Sequence, residues 1–254
     1  MSTPVLFSVI VVLISPAIGS FLNVLIDRLP RGENPVWPGS HCRDCGVPLR
    51  ARDLVPVLSY VLSRGCCRHC GAAIAPWHLY VELAATGVAV LAVLWGGGPV
   101  VIGLSALVLW ILLALIVCDL IWLRLPNVLT AGLAGCAVAL SLTGLALPGG
   151  IAQAGIGAVI GAGSFWGLRW GYHQLRGREG LGLGDVKLMA GLGALVGPWL
   201  LPHMILLAAS GALLVAMIQH LTGRQTMQGS RPLPFGAALA LAGAIVWGVF
   251  RLPV

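Results

Sequence analysis

The chain alternates between long apolar runs and short polar breaks. The first run, Val5 to Ile26, is long enough to cross a bilayer, which takes about 20 predominantly apolar residues. Later runs predict spans near residues 78–95, 99–118, 128–147, 151–172, 186–198, 202–219 and 234–250. Gly96-Gly97-Gly98-Pro99 separates the second from the third, and Pro198 closes the sixth, the shortest. The runs are apolar on every side rather than at alternate positions, so a membrane β-barrel is excluded. Helices are the remaining way to satisfy the backbone inside lipid, and the pattern predicts an all-α polytopic membrane protein of about eight transmembrane helices. No Lys or Arg precedes the first run; it lacks the charged start of a secretory signal and reads as a retained first helix.

Composition agrees. The chain is 58% hydrophobic and 9% charged, against roughly 25% charged in a soluble domain. The net charge of +7 reads as an orientation signal rather than a nucleic-acid surface. Eight spans put both termini on one side. Every basic residue but Arg251 then falls on the other, in the loops around Arg28 to Arg68, Arg124, Arg169 to Lys187, and Arg224 with Arg231. Positive charge stays inside, so both termini are expected outside the cytosol.

After the first span the composition changes. Residues 28–79 hold six prolines, seven arginines and five of the seven cysteines. The expected domains are a first helix at 1–27, a cytosolic module at 28–79 and a seven-helix core at 80–254. The module is too short for a large core and needs a staple. Cys42-Arg43-Asp44-Cys45 and Cys67-Arg68-His69-Cys70 are two C-x-x-C turns. Four thiolates on two tight turns suit a structural zinc ion. Two disulfides are the competing reading and require an oxidising compartment. Cys66 is a fifth candidate ligand, in place of Cys67. Cys118 and Cys136 lie in apolar runs and read as packing residues.

Carboxylates are scarce. Asp27, Glu33, Asp44, Asp53 and Glu179 lie among arginines in polar stretches and read as solvated or ion-paired charge. Glu82 lies inside the second span, where it could pair with an arginine, cap backbone groups or meet a substrate. Asp119 and Asp185 each sit where an apolar helix meets the membrane surface, a costly place for a carboxylate. Their structural readings are an interfacial acid paired with Arg124 and a helix N-cap after Gly182-Leu183-Gly184. The functional reading is a catalytic pair sharing one proton. In it Asp119, ending a helix, is the proton-bearing acid, and Asp185, beginning one near Lys187, is the ionised base.

Several of these stretches carry a resemblance. Gly182-Leu183-Gly184-Asp185-Val186-Lys187 resembles the GxGD signature of intramembrane aspartic peptidases, in the form found in type IV prepilin peptidases. Asp119 with Leu125-Pro126-Asn127 resembles the first aspartate motif of that family. Gly19 to Pro30 and the cysteine module, with Pro56-Val57-Leu58-Ser59 and Arg64-Gly65, resemble its N-terminal region. Arg43 stands where the family commonly has proline, and Ile121 where aspartate is frequent.

The resemblance implies a membrane aspartic endopeptidase of the bacterial inner membrane, with Asp119 and Asp185 as catalytic residues facing the cytosol. It implies removal of a short basic leader from prepilins or pseudopilins. Gly182, Gly184 and Lys187 are the expected substrate contacts, the glycines because they admit an extended backbone. The resemblance also implies N-methylation of the new N-terminal residue with S-adenosylmethionine, although no GxGxxG follows a strand. Membrane lipid is an expected partner and nucleic acid is not. Two rival classes predict different behaviour: an ion-coupled transporter whose acids bind cations, and a non-catalytic assembly factor in which the cysteines matter and the aspartates do not.

Overall fold

The structure is a computed structural model that describes residues 3–144, 150–178, 180–222 and 233–251. Among the described residues the regular elements are helical: α1 (Thr3–Arg28), α2 (Leu58–Leu62), α3 (Trp77–Leu94), α4 (Pro99–Trp122), α5 (Asn127–Leu142), α6 (Gly150–Arg176), α7 (Leu183–Val196), α8 (Leu201–Leu221) and α9 (Phe235–Arg251), with two short 3-10 turns in the module. Each predicted span overlaps one of the eight longer helices; the fourth is expected to reach 147, whereas α5 ends at Leu142 and residues 145–147 lie outside the described residues. Glu179, Arg224 and Arg231 lie outside the described residues.

Five helical stretches are long and apolar enough to cross a membrane: Pro4–Arg31, Trp77–Leu94, Pro99–Trp122, Gly150–Arg176 and Leu201–Leu221. The protein is therefore a multi-pass membrane protein. The other three predicted spans are shorter helices. α7 has 14 residues, which at 1.5 Å per residue rise about 21 Å, less than the roughly 30 Å of a hydrocarbon core. Two boundaries move in ways that matter. α4 continues past the expected end at 118, so Asp119 sits inside its last turn. α7 starts at Leu183 with Gly182 as its N-cap, so Asp185 lies within the first turn and is not the cap.

The chain divides into two compact units, Met1–Ala114 and Leu115–Val254, the division falling within α4. In the first unit α1 packs along α3. A Cβ at Gly19 would lie 2.7 Å from the Glu82 Cα, so the missing side chain sets this approach. The buried Asn23 donates its Nδ2 to the His78 carbonyl at 2.9 Å, and Trp110 Nε1 reaches the Ala85 carbonyl at 2.9 Å.

In the second unit α7 is the central element, packed against α5, α6 and α9. Leu188, Met189 and Leu192 are fully buried there. The glycine-dense α6 supplies the closest contact. A Cβ at Gly157 would fall 2.1 Å from the Gly193 carbonyl oxygen, and one at Gly193 would fall 2.1 Å from the Gly157 oxygen. Gly161 faces the Met189 carbonyl in the same way, at 2.5 Å. The backbones touch here as small-residue helix pairs do in membranes. Gly155, Gly163 and Gly167 face open space. The glycines of α6 thus fall into two classes: Gly157 and Gly161 close on α7, and Gly155, Gly163 and Gly167 meet nothing within 4 Å.

The two classes separate on substitution. Gly157→Ala drives a methyl into backbone that cannot yield and should lower unfolding stability in detergent by about 3 kcal/mol or more. Gly163→Ala, with nothing within 4 Å of its Cβ, should be neutral or gain up to about 1 kcal/mol of helix propensity. Thermal unfolding of the two variants checks this.

Candidate active site and thiol cluster

Asp119 and Asp185 come from the end of α4 and the start of α7, and α9 brings them together. A Cβ placed on Gly236 would lie 3.0 Å from Asp185 Oδ1 and 3.1 Å from Asp119 Oδ2. The two carboxylates therefore flank one point, kept open because residue 236 has no side chain. Asp119 is buried, and its Oδ2 accepts the Ala237 backbone N–H at 2.7 Å. Ala237 is in the first turn of α9, so the positive end of one helix meets a carboxylate at the negative end of another. The two poles oppose each other at Asp119: the end of α4 favours its protonated form and the start of α9 its carboxylate. The Asp185 carboxylate lies back over Gly182, with Oδ2 3.5 Å from where a Gly182 Cβ would stand. That is the geometry of a residue three places inside a helix reaching back to its cap.

The other expected contacts have structural partners. Lys187 Nζ donates to Asn127 Oδ1 at 2.8 Å, tying α7 to the start of α5. Gly184 faces Leu125, whose Cβ would be 3.1 Å from a side chain there. The Leu125-Pro126-Asn127 stretch thus supplies two of the contacts that seat α7. Gly236 and the Ala237 N–H were given no role from the sequence. The available signal was Pro234-Phe235-Gly236, where a helix-initiating turn puts glycine in the first turn of the last apolar run.

The module holds the second constellation. The Sγ atoms of Cys42, Cys45, Cys67 and Cys70 all lie within 4.8 Å of one another. A tetrahedral ion with bonds of about 2.3 Å to sulfur has S–S edges of about 3.8 Å, and Cys42 Sγ to Cys70 Sγ is 3.8 Å. All four cysteines are free thiols, so the donor set fits a metal and is not two disulfides. The turns are built alike. Cys42 N–H donates to the Val47 carbonyl and Gly46 N–H to that of Cys42; Cys67 and Gly71 repeat this with Ala72 and Cys67. Gly46 and Gly71 have φ of 71° and 74°, which glycine adopts without strain. Cys66 bridges to Ala73 as His41 does to Pro48. It therefore occupies the place of His41, outside the four-thiol set. N–H groups of Cys70 and His69 bond the Cys67 sulfur and bring its thiol down to about 7, while desolvation and the three neighbouring thiols push that of Cys70 up to about 12.

Arg43, one of the departures noted above, bonds both Asp27 and Glu33 and so ties the first turn to the end of α1. The same ion pairing holds Glu33 below the usual carboxylate range. Asp53 pairs with Arg68 at 3.0 Å. Glu82, left open from sequence, accepts the Val57 backbone N–H at 2.7 Å.

Comparison with known proteins gives the class. The family model for the Bacterial Peptidase A24 N-terminal domain matches residues 13–96, and that of the Type IV leader peptidase family matches residues 106–217. The chain belongs to the type IV leader peptidase family and is a membrane peptidase. Among its relatives, a Prepilin leader peptidase/N-methyltransferase of Aeromonas salmonicida (strain A449) is 35% identical, the alignment covering 96% of this chain and 92% of the relative. Proteins of the same name from Dichelobacter nodosus and Burkholderia pseudomallei (strain 1026b) are 34% and 36% identical, covering 91% and 89% of this chain and 87% and 80% of theirs. No solved structure matches.

The thiol geometry yields a direct test. Elemental analysis of protein purified without chelators should find about one metal ion per chain, as four thiolates bind one. Cys42→Ser and Cys70→Ser should lose it, whereas Cys66→Ser should keep it.

Proposed function

We propose that the protein is an aspartic endopeptidase that removes the short basic leader from type IV prepilins or pseudopilins at the cytosolic membrane face, and then N-methylates the new N-terminal residue. The observation that carries the reading is the position of Asp119 and Asp185 on either side of the point in front of Gly236. The names of the relatives support the substrate and the second activity.

Peptide hydrolysis needs a water made nucleophilic and an acid for the leaving amine. Two close carboxylates hold one proton between them, because both ionise together only at high cost. The ionised member takes a proton from water, and the protonated member polarises the scissile carbonyl and supplies the proton that reaches the amine nitrogen. The Ala237 N–H fixes Asp119 Oδ2 throughout. Titration then belongs to the pair, and cleavage follows a bell-shaped pH profile.

A basic leader stays in the cytosol while the following apolar segment enters the membrane, so the cut falls at the inner surface. The distribution of arginines argues for this orientation, with both termini outside the cytosol. In the module, Cys42, Cys45, Cys67 and Cys70 hold a structural zinc ion, which closes the two turns on each other. S-adenosylmethionine supplies the methyl group for the second activity. Gly182, Gly184 and Lys187 line the substrate path, where Gly184 and Lys187 also seat α7 against Leu125 and Asn127.

Asp119→Asn and Asp185→Asn should each lower cleavage of a prepilin by about 100-fold or more. The double variant should be no worse than either single one, as for groups acting as one unit. Mass spectrometry of the prepilin N-terminus reads the result. A folded Asp185→Asn protein that cleaves at the parent rate overturns the reading. It also separates the peptidase from an assembly factor, in which the aspartates are dispensable.

Gly236→Ala gives an independent check. Its methyl would stand 2.9 Å from Leu125 Cδ1 and about as close to the two carboxylates. Cleavage should fall at least as far as it does for loss of one carboxylate, while the melting temperature changes little.

A further inference from the structure

The module carries two apolar tips that no part of the described chain covers. One is the loop tip Val36-Trp37, each residue 77% exposed. The other is one side of α2, where Leu58, Val61 and Leu62 are 54%, 59% and 66% exposed. Spacing of three and four residues puts these three on one helix face. The opposite face turns inward: Tyr60 packs on Gly65, and its hydroxyl reaches the Ile74 carbonyl at 3.4 Å.

Both tips are fastened to the ends of membrane helices. Arg28, the last residue of α1, is buried. Its guanidinium donates to the carbonyls of Asn34, Pro38 and Gly39 at 3.1, 2.6 and 3.2 Å, which brackets Val36 and Trp37 on both sides. α2 is fastened through Glu82. That carboxylate accepts the N–H of Val57, the residue before α2, at 2.7 Å. Val57 has a φ of 61°, a strained conformation for a β-branched residue that surrounding contacts must hold.

Glu82 stands five residues into the apolar helix α3, about 7.5 Å along its axis. The 18 residues of α3 rise about 27 Å, close to the roughly 30 Å of a hydrocarbon core, so its first turns stand at the polar layer of the leaflet and not beyond it. Tyr80, 64% exposed on the same turn, belongs to the residue types that mark this layer. Through Glu82 the start of α2 is therefore tied to the end of α3 that enters the membrane.

We infer that Val36-Trp37 and the Leu58/Val61/Leu62 face of α2 rest in the lipid interface, as two feet on which the module stands beside α1 and α3. The partner is a bilayer surface bearing anionic lipid. Apolar side chains enter the acyl boundary, and the surplus of arginine over acid in residues 28–79 meets the headgroups, as in monotopic elements. Arg28 and Glu82 are positioning residues that set the depth of each foot. This goes beyond the peptidase assignment and rests on the membrane-spanning character of α1 and α3, so loss of Asp119 or Asp185 has no bearing on it.

Photocrosslinking tests it in full-length protein reconstituted in phosphatidylcholine/phosphatidylglycerol vesicles. A benzophenone side chain replaces Trp37, Leu62, Asp44 at an exposed knuckle tip, or Leu13 on the exposed side of α1. Irradiation followed by peptide mass spectrometry should give phospholipid adducts at 13, 37 and 62 and none at 44. With Glu82→Ala the adduct at 62 should be lost and that at 37 retained, because Arg28 holds the first foot separately. Failure of position 37 or 62 to capture lipid while 13 does so overturns the inference. So does capture of a second copy of the chain, or of an added prepilin, in place of lipid. An adduct at 62 that survives Glu82→Ala overturns the role of Glu82.

Discussion

The first turn of α9 is the constraint on which the candidate site depends. Its Ala237 N–H holds Asp119, and its Gly236 leaves the space that both carboxylates face. A carboxylate buried at a helix end needs a donor or a partner charge, and α9 supplies the donor from backbone. The geometry of the pair is thus independent of any long, mobile side chain. Gly236 acts from the steric side: any Cβ there would occupy the space between the two carboxylates.

α7 presents the second carboxylate under a different constraint. A 14-residue helix cannot span the hydrocarbon alone, so its position comes from neighbours. α6 fixes it by backbone contact, and α5 fixes it through Lys187 to Asn127 and Leu125 to Gly184. Two of the expected substrate contacts also have structural partners there: Lys187 bonds Asn127, and Gly184 packs on Leu125.

Much of this was legible from residue order. Apolar run length located the eight longer helices among the described residues, five of them long enough to cross a membrane. The thiol cluster was legible because its ligands are close pairs on tight turns. Long-range pairings were not. Nothing local to Phe235-Gly236-Ala237 says that its amide serves a carboxylate more than a hundred positions earlier. Nor does glycine density in α6 tell Gly157 from Gly163, which differ only in which face meets α7. Arg43 shows the same limit: a departure from the family pattern in sequence, it is the centre of an ion-pair cluster in the fold.

The contact between Gly157 and Gly193 has a consequence for how such a protein can vary. Each fills the space the other leaves, backbone against backbone. In most helix interfaces a larger residue on one side is accommodated by a smaller one opposite. Here both sides are already at the minimum, so neither position has a compensating change available in the other. The pair is closed to stepwise drift, and the route by which α6 and α7 could diverge leads through their separation first.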